Sequence, residues 1–244
     1  MKRAGVTLIE VLIAVSLLSL LSLAILFALR VGMSALDKAN RKLMDNRRVA
    51  GTERILEQQL AGFVPVMAVF APDSGAAGER VPFFEGRGQA MRFVSTYSLA
   101  GAARGLPQVL EFQVIPGEEG RGVRLVVNEN PYTGPRSAGI FCRGFGPDPE
   151  LGVQTQRFVP ITIGASSFVL ADRLASCRFS YLGRPPNQEQ EQWASNWIFP
   201  NWPLAIRIEM APLDANAAGL KPVSVTAAVH VNRDPALEYG DAQE

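Results

Sequence analysis

The most unusual chemical group in this chain is a single carboxylate, Glu10, placed at the head of an otherwise apolar run. From Val11 to Leu29 there follow nineteen residues with no charge, no Pro and no Gly, long enough to cross a bilayer core as a helix. A charged side chain deep in a bilayer costs about 2.5–3.5 kcal/mol on insertion scales, so an acid opening such a run predicts a partner and a purpose for it. A protonated amine is one such partner. An α-amino group has a reference pKa of about 7.7–8.0, so a chain cut just before Val6 would present one to the Glu10 of a neighbouring copy. The alternative is an interfacial acid that reaches the headgroups with no partner.

Other residues with chemistry to offer are few. Two thiols, Cys142 and Cys177, lie far beyond the apolar run and could pair in an oxidising compartment or serve as two small buried hydrophobes. His230 is the only histidine and falls in a strand-like stretch, which leaves no paired imidazoles for a metal and no His-based triad with a base in reserve. Asp148 and Glu150 flank Pro149 in a Gly-Pro loop and read as a solvated turn, since no alternating oxygen ligands follow them. Gly164-Ala165-Ser166-Ser167 lacks the Gly-x-Ser-x-Gly elbow, and no glycine-rich phosphate loop precedes a helix. Trp193, Trp197 and Trp202 crowd into ten residues, as partner anchors or as core filling. No catalytic constellation emerges, so the expectation is a chain that is not an enzyme and uses no cofactor, metal or small-molecule substrate. A formal charge of +1 over 244 residues also gives no electrostatic reason to expect nucleic acid.

The elements that position Glu10 begin with Lys2-Arg3-Ala4-Gly5-Val6-Thr7-Leu8-Ile9-Glu10-Val11. A basic leader, a Gly before the apolar run and an acid fifth after that Gly resemble the prepilin family. The resemblance implies that a prepilin peptidase cuts between Gly5 and Val6, that Val6 is then N-methylated, and that Glu10 forms an assembly charge pair. Val6 stands where the family usually has Phe. An ordinary secretory signal differs in having a shorter apolar stretch with its small-residue cut on the far side. Lys and Arg number two before the run, Lys2 and Arg3, and six soon after it, which opposes the family's orientation, so orientation follows from the motif. Ser16, Ser19 and Ser22 recur every three residues, as a close-packing stripe or as tolerated small residues.

Beyond the span, no Pro occurs before Pro65, and Leu36, Leu43, Ala50, Ile55, Leu56, Leu60 and Phe63 keep one apolar face. The helix is therefore expected to continue to about Ala61, with Leu36, Leu43 and Leu60 as partner contacts. After Pro65 the pattern changes to short β-like runs at Met91–Thr96, Val109–Ile115, Val123–Val127, Phe158–Ile163, Ser167–Leu170, Cys177–Leu182, Leu204–Met210 and Val223–Val231. Residues 73–80, 128–139 and 187–192 read as loops. The expected fold class is α+β, a long N-terminal helix packed on antiparallel β-sheets. The expected divisions are a leader at 1–5, the transmembrane half of the helix at 6–30, its amphipathic half at 31–64, a β-rich domain at 65–238 and a loose tail at 239–244.

The order of features also resembles the J-type minor pseudopilins of type II secretion systems. The residues that carry this are Met91-Arg92-Phe93-Val94-Ser95, Gly105-Leu106 before Val109-Leu110-Glu111-Phe112, Val169-Leu170-Ala171-Asp172, Arg178-Phe179-Ser180-Tyr181-Leu182, and Trp193 and Trp197 before Trp202-Pro203-Leu204-Ala205-Ile206-Arg207-Ile208. The resemblance implies a pilin-like fold, a single-pass anchor in the inner membrane, a periplasmic domain, and I-type and K-type minor pseudopilins as partners. A minor type IV pilin is the alternative within the same class. A membrane-tethered enzyme or ligand-binding protein is the alternative from another class.

Overall fold

The computed structural model describes residues 7–70, 78–101, 103–148, 152–184, 190–213 and 222–230, and for residues 41–48, 103 and 104 the backbone only. The chain divides into two compact units between Arg47 and Arg48, and its first helix is α1 (Leu8–Ala61). Nothing in its sequence breaks it, since the first Pro is Pro65 and Gly51 meets no atom that would crowd a side chain.

In the first unit the large apolar side chains of α1 face outward all round. Leu8 is 87% exposed and Val11, the least exposed, 51%. The stretch Leu8–Asn40 has the length and composition to cross a membrane. A helix apolar on every face suits lipid or other helices as its surroundings.

In the second unit α1 has an inner and an outer face. Thr52, Leu56, Gln59 and Leu60 are buried while Ala50, Arg54, Glu57 and Ala61 are exposed, the i, i+4, i+7 pattern of a helix lying on a core. The Thr52 hydroxyl donates to the Leu170 carbonyl at 2.7 Å and the Ser95 hydroxyl to the Gln59 carbonyl at 2.8 Å, which ties the helix to strands at two levels. At its end Gly62 lies so close to Ser95 that a Cβ would stand 2.6 Å from the Ser95 hydroxyl. That approach lets the Gly62 carbonyl accept the Thr96 amide at 2.9 Å and turn the chain into the sheet.

The sheet is antiparallel throughout its ladders. Its path runs β1 (Phe63–Val64), β5 (Ala90–Ser98), β6 (Ala103–Pro116), β7 (Val123–Pro131), β10 (Phe168–Gly183), β12 (Ala205–Pro212) and β13 (Val223–Ala228). β4 (Glu85–Gly86) adds to β5, and β11 (Gln192–Ala194) to β10. Strict alternation fixes register where one face meets the core: Ile206, Ile208 and Met210 are buried, with Arg207 and Glu209 outward. Leu56 and Leu60 pack into the main core with Phe93, Phe112, Phe179 and Tyr181. Burying each leucine contributes about 1.5–3 kcal/mol. The chain is thus α+β, a long apolar N-terminal helix followed by an antiparallel β-domain, consistent with a pilin-like fold.

Three departures from the sequence expectations have physical causes. The runs 167–170 and 177–182 are one bent strand, β10, which pairs with β7 over its first half and β12 over its second. The bend falls at bulges around Arg173, whose positive φ of 54° turns the strand from one partner to the other. Asn128–Pro131 belongs to β7 rather than to a loop, because the Asn128 and Asn130 amides are satisfied by the Glu111 carboxylate at 3.2 and 3.1 Å. Pro135–Gly139 within the same expected loop is a short helix, α2, with Pro at its start. The run 158–163 is not a strand: β9 (Gln154–Phe158) ends where it was expected to begin, and side chains take the carbonyls of Val159 and Thr162.

β8 (Cys142–Pro147) and β9 form a separate two-stranded sheet, as do β2 (Met67–Phe70) and β3 (Glu79–Pro82). These small sheets and α2 enclose a second cluster with Val66, Ala68, Val81, Phe83, Val94, Val109, Ala138 and Cys142.

Candidate functional site

Glu10 stands in the first turn of α1, among apolar neighbours. The Glu10 and Val11 amides donate to the Thr7 carbonyl at 3.1 and 3.3 Å, so Thr7 occupies the capping position and Glu10 the third helical one. The Glu10 carboxylate turns back and accepts the Thr7 amide and the Thr7 hydroxyl, both at 3.4 Å. This is the carboxylate half of a capping box, which the Thr-x-x-Glu spacing signals in sequence. An acid there also meets the positive end of the helix dipole.

Two serines of the apolar run are satisfied within the helix. Ser16 donates to the Leu12 and Ile13 carbonyls at 3.0 and 2.9 Å, and Ser19 to Val15 at 2.8 Å. Their hydroxyls need no second helix.

Of the residues expected to meet partners, Leu36 is 64% exposed. Leu60 is corrected: it is 1% exposed inside the main core and offers no surface to another chain. The leader cut at Gly5 and Val6 and the side chain of Leu43 lie outside the described residues.

Of the two readings of Cys142 and Cys177, bridge or small buried hydrophobes, the structure has the second. Both thiols are free and buried, one in the small cluster and one in the main core. Burial pushes Cys142 up to about 11, against a hydrogen bond from Gln156 at 3.2 Å, and Cys177 up to about 12. Neither is a ready nucleophile, since the thiolate is the reactive form.

Asp148 is not a solvated turn residue. Its carboxylate is buried and ion-paired with Arg87, while Glu150 lies outside the described residues. Trp197 and Trp202 are buried in the core, and Trp193, 36% exposed, carries the Arg207 guanidinium 3.8 Å from its ring centroid. His230 is exposed, just past the end of β13. Among the described residues no three His, Cys, Asp or Glu side chains stand together to hold a metal.

The feature that sequence reasoning missed is a buried charge cluster under β4–β5. Arg92 is fully buried and reaches three acceptors: Glu85 at 2.6 Å, Glu111 at 2.7–2.9 Å, and the Val159 carbonyl at 2.8 Å. Its guanidinium also lies over the Phe141 and Phe158 rings, 5.2 and 5.4 Å from their centroids. Beside it the Tyr181 hydroxyl donates to the Arg87 carbonyl at 2.8 Å, and burial raises that phenol well above its ordinary value. Burial likewise raises Glu85, although Arg92 and Arg87 pull it down. The cluster joins the large sheet to the β8–β9 hairpin and the segment after it. Its acceptors lie on β4, on β6 and just after β9, so it fastens those elements to one another.

Residues 1–26 match the prokaryotic N-terminal methylation motif. No curated protein matches the chain. With the single apolar helix and the antiparallel domain, the motif supports a type IV pilin or pseudopilin-like protein: one membrane anchor, processing by a prepilin peptidase, assembly with other pilin-like subunits, and a structural rather than catalytic role.

Proposed function

We propose that the chain is a J-type minor pseudopilin of a type II secretion system. In this reading the peptidase cuts between Gly5 and Val6, Val6 is methylated, and α1 anchors the subunit in the inner membrane with its β-domain in the periplasm. The subunit then joins I-type and K-type minor pseudopilins at the tip of a periplasmic pseudopilus that supports export across the outer membrane. The observation that carries the reading is Glu10 at the head of a helix whose apolar side chains are exposed on every face, within a methylation motif.

Two further facts support the J-type assignment. The segments that carry the resemblance, Met91–Ser95 and Val109–Phe112, supply the buried Arg92–Glu111 pair, so the likeness falls on residues that hold the domain together. Leu36, on the exposed apolar surface of α1, is available to a neighbouring helix.

The test is co-purification of the full chain from membranes that also carry the I-type and K-type subunits. The expected result is a ternary complex with the processed form beginning at Val6 by mass spectrometry. Glu10→Ala is expected to insert and fold normally yet fail to enter the complex. A full chain that ignores both subunits but enters a surface pilus overturns the secretion reading in favour of a minor type IV pilin.

A further inference from the structure

Of the three tryptophans, Trp193 is the one that the core does not take up, and it carries Arg207. β10 pairs with β11 along one edge and with β12 along the other, so Leu182 lies between Trp193 and Ala205, and Ser180 stands opposite Arg207. The Arg207 side chain therefore crosses β10 to set its guanidinium 3.8 Å from the Trp193 ring centroid, while its Nε donates to the Thr226 hydroxyl of β13 at 3.4 Å. Ring and hydroxyl hold the group without neutralising it, and no ion pair joins it to a described residue. Glu209, the next outward residue of β12, stands opposite Arg178 in the register, which leaves Arg207 as the surplus positive charge of this face. Close by, Leu204 is 43% exposed, with its amide on the Leu182 carbonyl at 2.8 Å.

We propose that Arg207, stacked on Trp193, anchors a docking surface on the outward face of β10 and β12 for an acidic segment of another protein, a carboxylate side chain with an apolar neighbour. A guanidinium presents parallel N–H donors that grip a carboxylate with two bonds, and stacking on the ring sets that plane before the partner arrives. Trp and Arg are also residue types that concentrate binding energy at protein interfaces. A free anion on the face of a sheet would meet only the fork and water, whereas a polypeptide also covers the edge of Trp193 and the side chain of Leu204. The proposal is independent of the assembly reading, since it uses neither α1 nor Glu10.

The experiment titrates the full chain in zwitterionic micelles with acetyl-Leu-Glu-Leu-amide and follows the indole N–H signals by NMR, with Trp193→Phe to assign them. The expected result is a saturable shift of the Trp193 signal alone, Trp197 and Trp202 being buried. The neutral acetyl-Leu-Gln-Leu-amide, equal in shape, is expected to bind about tenfold more weakly, the worth of a charge-assisted bond. Arg207→Lys keeps the charge but loses fork and stack, and is expected to weaken the acidic peptide about tenfold. Equal binding of the two peptides overturns carboxylate recognition. Unchanged binding in Arg207→Lys, with the Trp197 and Trp202 signals showing the fold intact, overturns the anchor. Acetate that binds as tightly as the acidic peptide overturns the protein partner and leaves a site for free carboxylates. Absence of any shift at millimolar peptide overturns the docking surface itself.

Discussion

Replacing Arg92 by Met tests whether the β-domain depends on its buried charges. Arg92 is fully buried, and the Glu85 and Glu111 side chains are 17% and 8% exposed. Taking away the guanidinium leaves the Glu85 and Glu111 carboxylates beside each other without their shared cation, only Arg87 remaining near Glu85, and removes the Arg92 donor from the Val159 carbonyl. Breaking a buried pair from one side costs about 3–5 kcal/mol, a large share of the roughly 5–15 kcal/mol that holds a domain folded. At about 2–4 °C per kcal/mol for a domain of this size, the melting temperature should fall by roughly 10 °C. Removing the charges together is different, because Arg92→Met with Glu85→Gln and Glu111→Gln leaves no ion uncompensated, so the triple variant should recover part of the loss. Thermal and urea melts of the full chain in micelles, followed by near-UV circular dichroism, would measure both. If Arg92→Met lies within about 1 kcal/mol of wild type, or if the triple variant is worse than the single, the cluster does not fasten the domain and the reasoning fails.

Two other consequences follow from single buried groups. Gln59 is wholly buried on α1 and its amide oxygen and nitrogen have no hydrogen-bond partner among the described residues, so Gln59→Met should raise stability by about 1 kcal/mol; a fall in urea midpoint would show that the amide is satisfied after all. Glu85 sits above its ordinary value because of burial, so its contribution to stability is full below the usual glutamate range and is lost as pH rises through the raised value. Glu85→Gln, which imitates the protonated acid, should remove that slope, so urea midpoints measured from pH 4 to 8 should match wild type at the acid end and lie above it towards the alkaline end. A wild-type slope of the opposite sign would mean that Arg92 outweighs burial.

What the sequence disclosed depended on how local the cause was. The run of α1 to Ala61 was legible because nothing in it opposes a helix, and the strand at Ile206–Met210 because alternation is a property of neighbours. Arg92 was not legible as a core residue, since an arginine in a strand ordinarily reads as pointing to water. Its partners Glu85 and Glu111 stand 7 and 19 positions away, and only the folded sheet brings them together. A signal did exist: Met91, Phe93 and Val94 flank it without alternation, the mark of a strand covered on both faces, where a charge must be paired. Leu60 was misplaced for a related reason, because an apolar stripe announces burial without saying whether the cover is the chain's own core or another subunit. The bend of β10 rests on Arg173 in a left-handed conformation that nothing around Ala171–Ser176 announced.

The energetics of Glu10 connect the helix to assembly. A carboxylate at the centre of a bilayer costs about 2.5–3.5 kcal/mol, and less towards the interface. A capping hydrogen bond and the helix dipole return about 1 kcal/mol between them, so the hold by Thr7 offsets part of the cost and leaves at most about 2 kcal/mol for an acid in the first turn. A cap that cancelled the whole cost would leave the subunit no electrostatic reason to associate. A bare acid would impede insertion. The residual is small enough for one subunit to reside in the membrane, and meeting a positive charge there favours the pair by up to about thirtyfold. With the Ser16 and Ser19 hydroxyls already bonded within α1, the acid differs from them as a polar group for which a second subunit supplies something that the helix itself does not.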